Sequence, residues 1–128
     1  MGRLVVGITQ RIDYIGGRNE RRDSLDQMIA KWLSVAGFIP VSIPNIFFNK
    51  ENNDFRKPNE LLDDWLEYVK PDALLLSGGN DIGDYLERDS TESYLLTWAE
   101  SLQLPVLGVC RGMQMMAIWA GSSLIRID

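Results

Sequence analysis

The chain has 128 residues, of which 45% are hydrophobic and 24% are charged, and its formal net charge at pH 7 is -5. This composition is typical of a globular protein with one domain, here residues 1–128, and it excludes a disordered chain. An acidic chain is not expected to bind nucleic acid or an anionic membrane. No apolar run approaches the roughly 18 residues of a membrane span, and the N-terminus lacks the layout of a signal peptide. Because there is only one cysteine, no intrachain disulfide can form, and we expect a cytoplasmic protein.

The first strand and the polar segment after it open the chain. Residues 4–9 are apolar throughout, as expected of a central parallel strand. Residues 10–23 are predicted to form a loop. The arginines of this loop are either a solvated charge cluster or a site for an anionic group on a substrate: Arg11, Arg18, Arg21 and Arg22.

An amphipathic helix is predicted next. It begins at a capping box formed by Ser24 and Gln27, and Gly37 ends it. Met28 and Trp32 lie on its apolar stripe, so we expect both side chains in the core rather than in a cofactor site.

The middle of the chain repeats this alternation. A second strand is predicted over 38–43, and a polar loop over 45–57 follows it, to which the sequence assigns no role. A second amphipathic helix begins at Pro58 or Asn59. A third buried strand, over 73–76, ends in the glycine-rich stretch 77–83.

A third helix is predicted to begin at an N-cap formed by Asp89 or Ser90. Three charged residues stand at this point of the chain, namely Arg88, Asp89 and Glu92. Helix starts favour carboxylates and solvated charge, so we interpret these residues as capping and surface groups rather than as catalytic ones.

The segment 104–120 is the most informative part of the sequence. A short apolar strand over 106–109 ends abruptly at Cys110 and leads directly into a helix that Gly121 ends, with Met115 and Met116 in the core. A fifth strand is predicted over 123–128. The whole pattern predicts an α/β fold of the flavodoxin-like, doubly wound type, with a mostly parallel sheet and helices on both faces.

Cys110 occupies the turn between this strand and this helix. Gly108 and Gly112 flank it two positions away on either side, which leaves room for a sharp turn that presents the thiol at the end of the sheet. The free N–H groups and positive dipole end of the helix favour a thiolate and an adjacent oxyanion. A lone cysteine after an apolar strand is often only a small core residue, but the two glycines favour a nucleophile.

The stretch from Gly108 to Gln114 resembles the G-x-C-x-G-x-Q nucleophile elbow of class I glutamine amidotransferases. An arginine directly after the cysteine is similar to the γ-glutamyl hydrolase branch of that superfamily, peptidase family C26, which is related to γ-glutamyl-GABA hydrolase. The stretch 76–81 is similar to the L-x-x-G-G-x-D type of loop in the same branch, and 88–92 is similar to its R-D-x-x-E segment.

The resemblance implies a set of site residues. Cys110 would be the nucleophile, and the backbone N–H groups of Gly79 and Arg111 would form the oxyanion hole. Gln114 and Gly78 would bind the glutamyl part of the substrate, although Gln114 is equally explained as an exposed polar residue of the helix. The substrate would be glutamine or a γ-glutamyl amide, and neither a metal ion nor an organic cofactor is required.

The chain contains no histidine. A cysteine nucleophile of this family transfers its proton to a histidine that a carboxylate orients, and the resemblance implies that this pair lies beyond Asp128. We therefore expect a chain truncated at its C-terminus, which covers about two-thirds of the family domain and is inactive alone. A synthetase partner or self-association through the uncovered sheet is expected. Two other readings stay open: a non-catalytic truncated relative that binds a partner, and a cysteine-elbow stress protein of the wider superfamily.

Overall fold

The computed structural model describes residues 2–45 and 57–127, without the side chains of 57–59. The loop predicted over 45–57 therefore lies almost wholly outside the described residues. Six strands and four helices are described: β1 Val5–Thr9, β2 Arg11–Ile15, β3 Glu20–Ser24, α1 Gln27–Val35, β4 Ile39–Ile43, α2 Lys57–Val69, β5 Ala73–Leu76, α3 Leu86–Ser101, β6 Val106–Gly108 and α4 Arg111–Trp119. None of the helices described in these two ranges is both long and apolar enough to cross a membrane.

A parallel sheet of four strands organises the fold. Its order is β4-β1-β5-β6, and each neighbouring pair is parallel. When these strands are numbered along the chain, the order is 2-1-3-4, which is the flavodoxin-like pattern. The prediction of an α/β, flavodoxin-like, mostly parallel sheet is confirmed.

Helices cover both faces of this sheet. One face buries Leu74 and Leu76 of β5 against α2, α3 and α4, whereas the other buries Leu75 of β5 and Ile8 of β1 against Leu33 of α1. The alternation along β5 follows from the two-residue period of a strand, which sends successive side chains to opposite faces. Because β5 and β6 are parallel neighbours, their carboxyl ends meet at one edge of the sheet, where Leu76 is paired with Gly108.

The prediction of a loop over 10–23 is wrong. Strands β2 and β3 form an antiparallel hairpin, with a short 3-10 turn over Gly16–Arg18 between them. Ile12 is the buried residue of β2, while β3 carries four polar residues before Ser24. The pattern did not predict strands because these two pair mainly with each other and bury little apolar surface.

The first helix differs from its prediction in two ways. Asp26, not Ser24, is the N-cap, and its carboxylate accepts the N–H of Met28 at 2.9 Å. Met28 and Trp32 are 62% and 57% exposed, so their predicted place in the core is wrong. The helix packs on the sheet through the neighbouring stripe that contains Leu33, and no described element covers Met28 and Trp32.

Two further predictions are wrong near the end of the chain. Helix α3 begins at Leu86 with Tyr85 as N-cap, so Asp89 and Ser90 lie inside its first turns. Residues 122–127 form no strand, and none of the strands described in 2–45 and 57–127 pairs with them. The end of α4 is as predicted, because Gly121 follows it with a φ of +99°.

Candidate active site

Cys110 lies in a strained turn between β6 and α4. Its φ and ψ angles are 55° and -109°, which only a small fraction of non-glycine residues adopt, and its side chain is exposed. Strain of this kind places a nucleophile at the end of a sheet, above the first turn of the following helix. The turn therefore has the geometry that the G-x-C-x-G spacing predicts.

The two glycines of the turn are required by close backbone contacts. A Cβ atom on Gly108 would lie 2.7 Å from the sulfur of Met116 and 2.8 Å from the backbone of Gly112. A Cβ atom on Gly112 would overlap the carbonyl group of Leu76 at the end of β5. Helix α4 thus begins in direct contact with the neighbouring strand, and this contact holds Cys110 beside the loop that follows β5.

That loop contains the predicted residues Gly78 and Gly79. A Cβ atom on Gly78 would stand 3.5 Å from the Cβ atom of Cys110, so the loop and the thiol are immediate neighbours. Gly79 has a φ of +87°, which favours glycine, and a Cβ atom there would meet Arg11 at 3.1 Å. The structure brings Gly78 and Cys110 together, and Gly79 follows in the same loop.

The other two predicted residues lie in α4. Arg111 is its first residue, and within 2–45 and 57–127 neither its N–H group nor that of Gly79 donates to a protein acceptor. Gln114 is half-buried one turn into the helix, and its own N–H donates to the carbonyl of Cys110 at 3.2 Å. Among the described residues the backbone N–H groups of Arg111 and Gly79 have no protein acceptor, and the first directly follows Cys110 while the second lies in the loop after β5.

The sequence reasoning missed a buried ion network behind the loop. Arg88 and Glu92 are fully buried, Arg111 is 2% exposed and the side chain of Asp89 is 17% exposed, so the interpretation of Arg88, Asp89 and Glu92 as capping and surface charge is wrong. The carboxylate of Glu92 accepts the Nε–H of Arg88 at 2.8 Å and also a hydrogen bond from Nη1 of Arg111. The spacing of Arg88 and Glu92, four residues apart on a helix, is the signal that could have predicted this pair.

Arg88 also binds the backbone of the loop. Its Nη2 donates to the carbonyl oxygens of Ser77 at 2.9 Å and Gly78 at 3.1 Å. Its Nη1 donates to the carbonyl oxygen of Gly79 and, at 3.0 Å, to Oδ1 of Asn80. One guanidinium group therefore binds three consecutive carbonyl groups.

Asp89 extends the network to the far end of the same loop. Its Oδ1 accepts from Nη2 of Arg111, and its Oδ2 accepts the N–H of Gly83 at 2.9 Å. Burial raises the pKa of Glu92, and the positive charges of Arg111 and Arg88 oppose that effect. Burial likewise lowers the pKa of Arg88, and the charge of Glu92 opposes this. The network holds Arg88, Arg111 and Glu92 out of water, whereas the side chain of Asp89 is 17% exposed.

The hairpin packs against the other side of the loop. The side chain of Asn80 accepts the N–H of Ile12 at 2.9 Å and donates to its carbonyl oxygen at 3.0 Å, as a neighbouring strand would. Ser77 is joined to Thr9 at the end of β1 in a similar way, because its N–H donates to the threonine hydroxyl at 3.0 Å. The loop after β5 is thus fixed from both sides.

Three of the four arginines in the segment 10–23 are paired with carboxylates, and the fourth, Arg18, is exposed in the 3-10 turn. Arg11 pairs with Asp13 at 2.9 Å, Arg22 with Glu20 at 2.7 Å and Arg21 with Glu87 at 2.5 Å, and the arginine side chains are about half exposed. A cleft of about 470 Å³ lies beside them, lined by Tyr14, Asn19, Arg21, Asp84 and Tyr85. In the part of the chain that the structure describes, no group of three histidine, cysteine or acidic residues is placed to hold a metal ion.

Comparison with known proteins identifies the family of the chain. No curated protein matches the chain. The family model described as Peptidase C26 matches residues 4–127, which is nearly the whole chain. The family is one of peptidase-type hydrolases, and the match covers the sheet, the elbow and the loop after β5. The chain therefore belongs to the peptidase C26 family.

Proposed function

We propose that Cys110 is the nucleophile of a γ-glutamyl hydrolase or glutamine amidotransferase reaction, with glutamine or a γ-glutamyl amide as substrate. The observation that carries this proposal is the strained backbone of Cys110 at the start of α4, in contact with Gly78. A core cysteine needs neither an unusual backbone conformation nor exposure to solvent. Membership in the peptidase C26 family supports the same class of chemistry.

The proposed reaction has two steps. The thiolate of Cys110 attacks the γ-amide carbon, and the backbone N–H groups of Gly79 and Arg111 bind the oxyanion that forms. The carbon–nitrogen bond breaks, ammonia or an amine leaves with one added proton, and a γ-glutamyl thioester remains. Water then attacks the thioester and releases glutamate and the thiol.

Proton transfer in this reaction needs a base from outside the 128 residues, because they contain no histidine. We propose that residues 1–128 form the N-terminal part of a family domain. A further segment or a partner chain would supply the base and its carboxylate. Turnover by the 128 residues alone is therefore not expected, and the test must detect the nucleophile without turnover.

An affinity label meets this requirement. The reagent 6-diazo-5-oxo-L-norleucine is a glutamine analogue in which a diazoketone replaces the amide. Its reaction with a thiol forms a carbon–sulfur bond and releases dinitrogen, so that no amine has to leave. We expect mass spectrometry to find one label per chain on Cys110, with L-glutamine slowing the labelling. The variant Cys110→Ser should take up no label.

Iodoacetamide is the control reagent, since it alkylates any accessible thiol and has no glutamyl part. If Cys110 lies in a glutamyl site, glutamine should slow diazoketone labelling of the folded chain. The same glutamine concentrations should not change the rate at which iodoacetamide alkylates Cys110 in the denatured chain. Labelling that glutamine does not slow would contradict the proposed function, because it would show that Cys110 is an accessible thiol without a glutamyl site.

A further inference from the structure

We propose that Arg88 and Glu92 are positioning residues, which orient the loop after β5 toward Cys110 and couple that loop to the elbow through Arg111. Their effect on catalysis rests on the proposed function, whereas their effect on the loop does not. The proposal is carried by the hydrogen bonds of two fully buried side chains that the proposed reaction does not use.

The hydrogen-bond donors of Arg88 are directed mainly at the loop after β5. A guanidinium group has five N–H donors in a fixed plane. Here Nε–H binds Glu92, while the two terminal nitrogens bind five acceptors in the segment 77–80, namely three carbonyl oxygens and the side-chain oxygens of Ser77 and Asn80. Every donor of Arg88 is used, and all but one of them bind the loop.

The N–H groups of the loop point away from Arg88. In a planar trans peptide the carbonyl group and the following N–H group point in opposite directions. Because the carbonyl groups of Ser77, Gly78 and Gly79 point at Arg88, the N–H groups of Gly78, Gly79 and Asn80 point away from it. Gly78 lies beside Cys110, since a Cβ atom on it would be 3.5 Å from that of Cys110, so we infer that an arginine behind the loop leaves these donors available on the side of the thiol.

Glu92 connects Arg88 to the elbow that contains Cys110. Glu92 binds Arg88 and Arg111 through the same oxygen, Oε1, and Arg111 directly follows Cys110. The two backbone donors that we assign to the oxyanion hole are therefore held by neighbouring guanidinium groups on one carboxylate. A shift of the loop relative to the thiol would have to break at least one of these buried bonds.

A purely structural role is the competing explanation. Removing one partner of a buried ion pair destabilises a protein whether or not the pair positions anything, so lost stability does not decide the question. The deciding measurement is the rigidity of the loop in a chain that stays folded. The order parameter of a backbone N–H group is about 0.85 in rigid backbone and below about 0.6 in flexible backbone.

The variant for this measurement is Arg88→Lys, which keeps the charge but loses the planar set of donors. By 15N NMR relaxation, we expect order parameters of about 0.85 for Gly78, Gly79 and Asn80 in the unaltered chain and below about 0.6 in Arg88→Lys. The matched control is Arg3→Lys, an exposed arginine before the amino end of β1, which should leave all three values unchanged. Rigid values in Arg88→Lys, or flexible ones in the unaltered chain, would overturn the proposal.

Labelling of Cys110 then tests the catalytic consequence. In Arg88→Lys we expect the rate of diazoketone labelling, which glutamine slows in the unaltered chain, to fall about 10- to 100-fold. Small misplacements of catalytic groups lower reaction rates by factors of this size. The iodoacetamide rate should change less than about 2-fold, because iodoacetamide lacks the glutamyl part and the ketone of the diazoketone, which are the groups that the loop would bind. Equal losses with both reagents would overturn the positioning role. If the unaltered chain shows no glutamine protection, the proposed function fails, and the relaxation measurement still decides the effect on the loop.

If Arg88→Lys does not fold, Glu92→Gln replaces it. An amide keeps the shape of the side chain and an oxygen acceptor but weakens both arginine bonds, since a neutral acceptor binds a cation less strongly. We expect the same changes at Gly78 to Asn80 and in labelling, each smaller than in Arg88→Lys. A Glu92→Gln chain with the rigidity and labelling rates of the unaltered chain would overturn the proposal.

Discussion

Two groups of arginines lie on either side of the loop after β5, and they differ in burial. The helix arginines, Arg88 and Arg111, are at most 2% exposed. The hairpin arginines, Arg11, Arg21 and Arg22, have side chains that are 49–58% exposed, although each also contacts a carboxylate. Pairing alone therefore does not distinguish the two groups, and the surroundings of the pair do.

Arg88 and two of the hairpin arginines have similar local sequences. Glu87-Arg88-Asp89 lies in the first turn of α3, and Glu20-Arg21-Arg22-Asp23 forms most of β3. Arg88 is buried because its helix packs across the end of the sheet, where backbone carbonyl groups accept its hydrogen bonds. The hairpin arginines lie on a two-stranded ribbon with solvent around their side chains. A charge acquires a structural role here only where the tertiary fold removes water from it.

The largest effect is expected from breaking the buried group. The variant Glu92→Ala leaves Arg88 and Arg111 buried without their shared carboxylate, and an uncompensated buried charge typically costs about 3–5 kcal/mol. We expect a loss of that size in the free energy of unfolding, measured by urea denaturation. The matched control is Glu100→Ala on the exposed side of the same helix, which should change stability by less than about 0.5 kcal/mol. Similar losses in both variants would mean that the network contributes nothing beyond helix propensity.

The sequence predicted the sheet and the elbow because both have local signals. Residues 4–9, 73–76 and 106–109 are apolar on both faces, and such runs are typical of buried parallel strands. The elbow followed from two glycines flanking Cys110, and the overlap that a Cβ atom on Gly112 would make with Leu76 gives the physical reason for one of them. The identity of the nucleophile remains a prediction.

The parts that were predicted wrongly depend on contacts between distant segments. The hairpin has one buried apolar residue in β2, Ile12; β2 alternates only over the four residues 11–14, and β3 is polar throughout. The network depends on Arg111 meeting Glu92, 19 residues away, and no local pattern records such a meeting. Met28 and Trp32 have helical spacing with Leu33, but spacing does not tell which stripe of a helix faces the sheet.

An intermediate effect is expected at Arg21. Its guanidinium group lies 5.5 Å from the centre of the Tyr85 ring and 2.5 Å from the carboxylate of Glu87. Exposed contacts of these two kinds contribute about 0.5–1 kcal/mol, so Arg21→Ala should lower the free energy of unfolding by that amount. Arg21→Lys should recover part of the loss because it keeps the charge but not the planar stacking. No loss in Arg21→Ala would place Arg21 with the other exposed pairs.

A still smaller effect is expected from the pair of Arg22 and Glu20. Both side chains are more than 40% exposed, and water and salt screen their attraction. A double-mutant cycle with Arg22→Ala and Glu20→Ala should show no coupling outside experimental error at 0.15 M salt. A coupling that persists at 1 M salt would contradict the assignment of this pair to the solvated group.

The smallest effect, and the one that separates the two groups by sign, is the response to acid. Burial raises the pKa of Glu92 above its ordinary value of 4.5, against the opposing charges of Arg111 and Arg88 and with the support of Asp89. The folded chain then binds this proton more tightly than the unfolded chain, so the contribution of Glu92 to stability improves as the pH falls toward 4.5. By contrast, hydrogen bonds from Ser24 and Arg11 and the charge of Arg11 lower the pKa of Asp13 below 3.8. The stability that Asp13 contributes is present above pH 3.8 and is lost as the pH falls through its lowered pKa.

Two neutral variants measure these opposite slopes. Urea denaturation of the unaltered chain, Glu92→Gln and Asp13→Asn between pH 7 and pH 3 gives the stability difference from each variant at every pH. As the pH falls, the unaltered chain should gain stability relative to Glu92→Gln and lose it relative to Asp13→Asn. Slopes of the same sign would show that the arginines around Glu92 outweigh its burial. The buried carboxylate would then titrate as the exposed ones do, and the distinction between the two groups would rest on the size of their ion-pair energies alone.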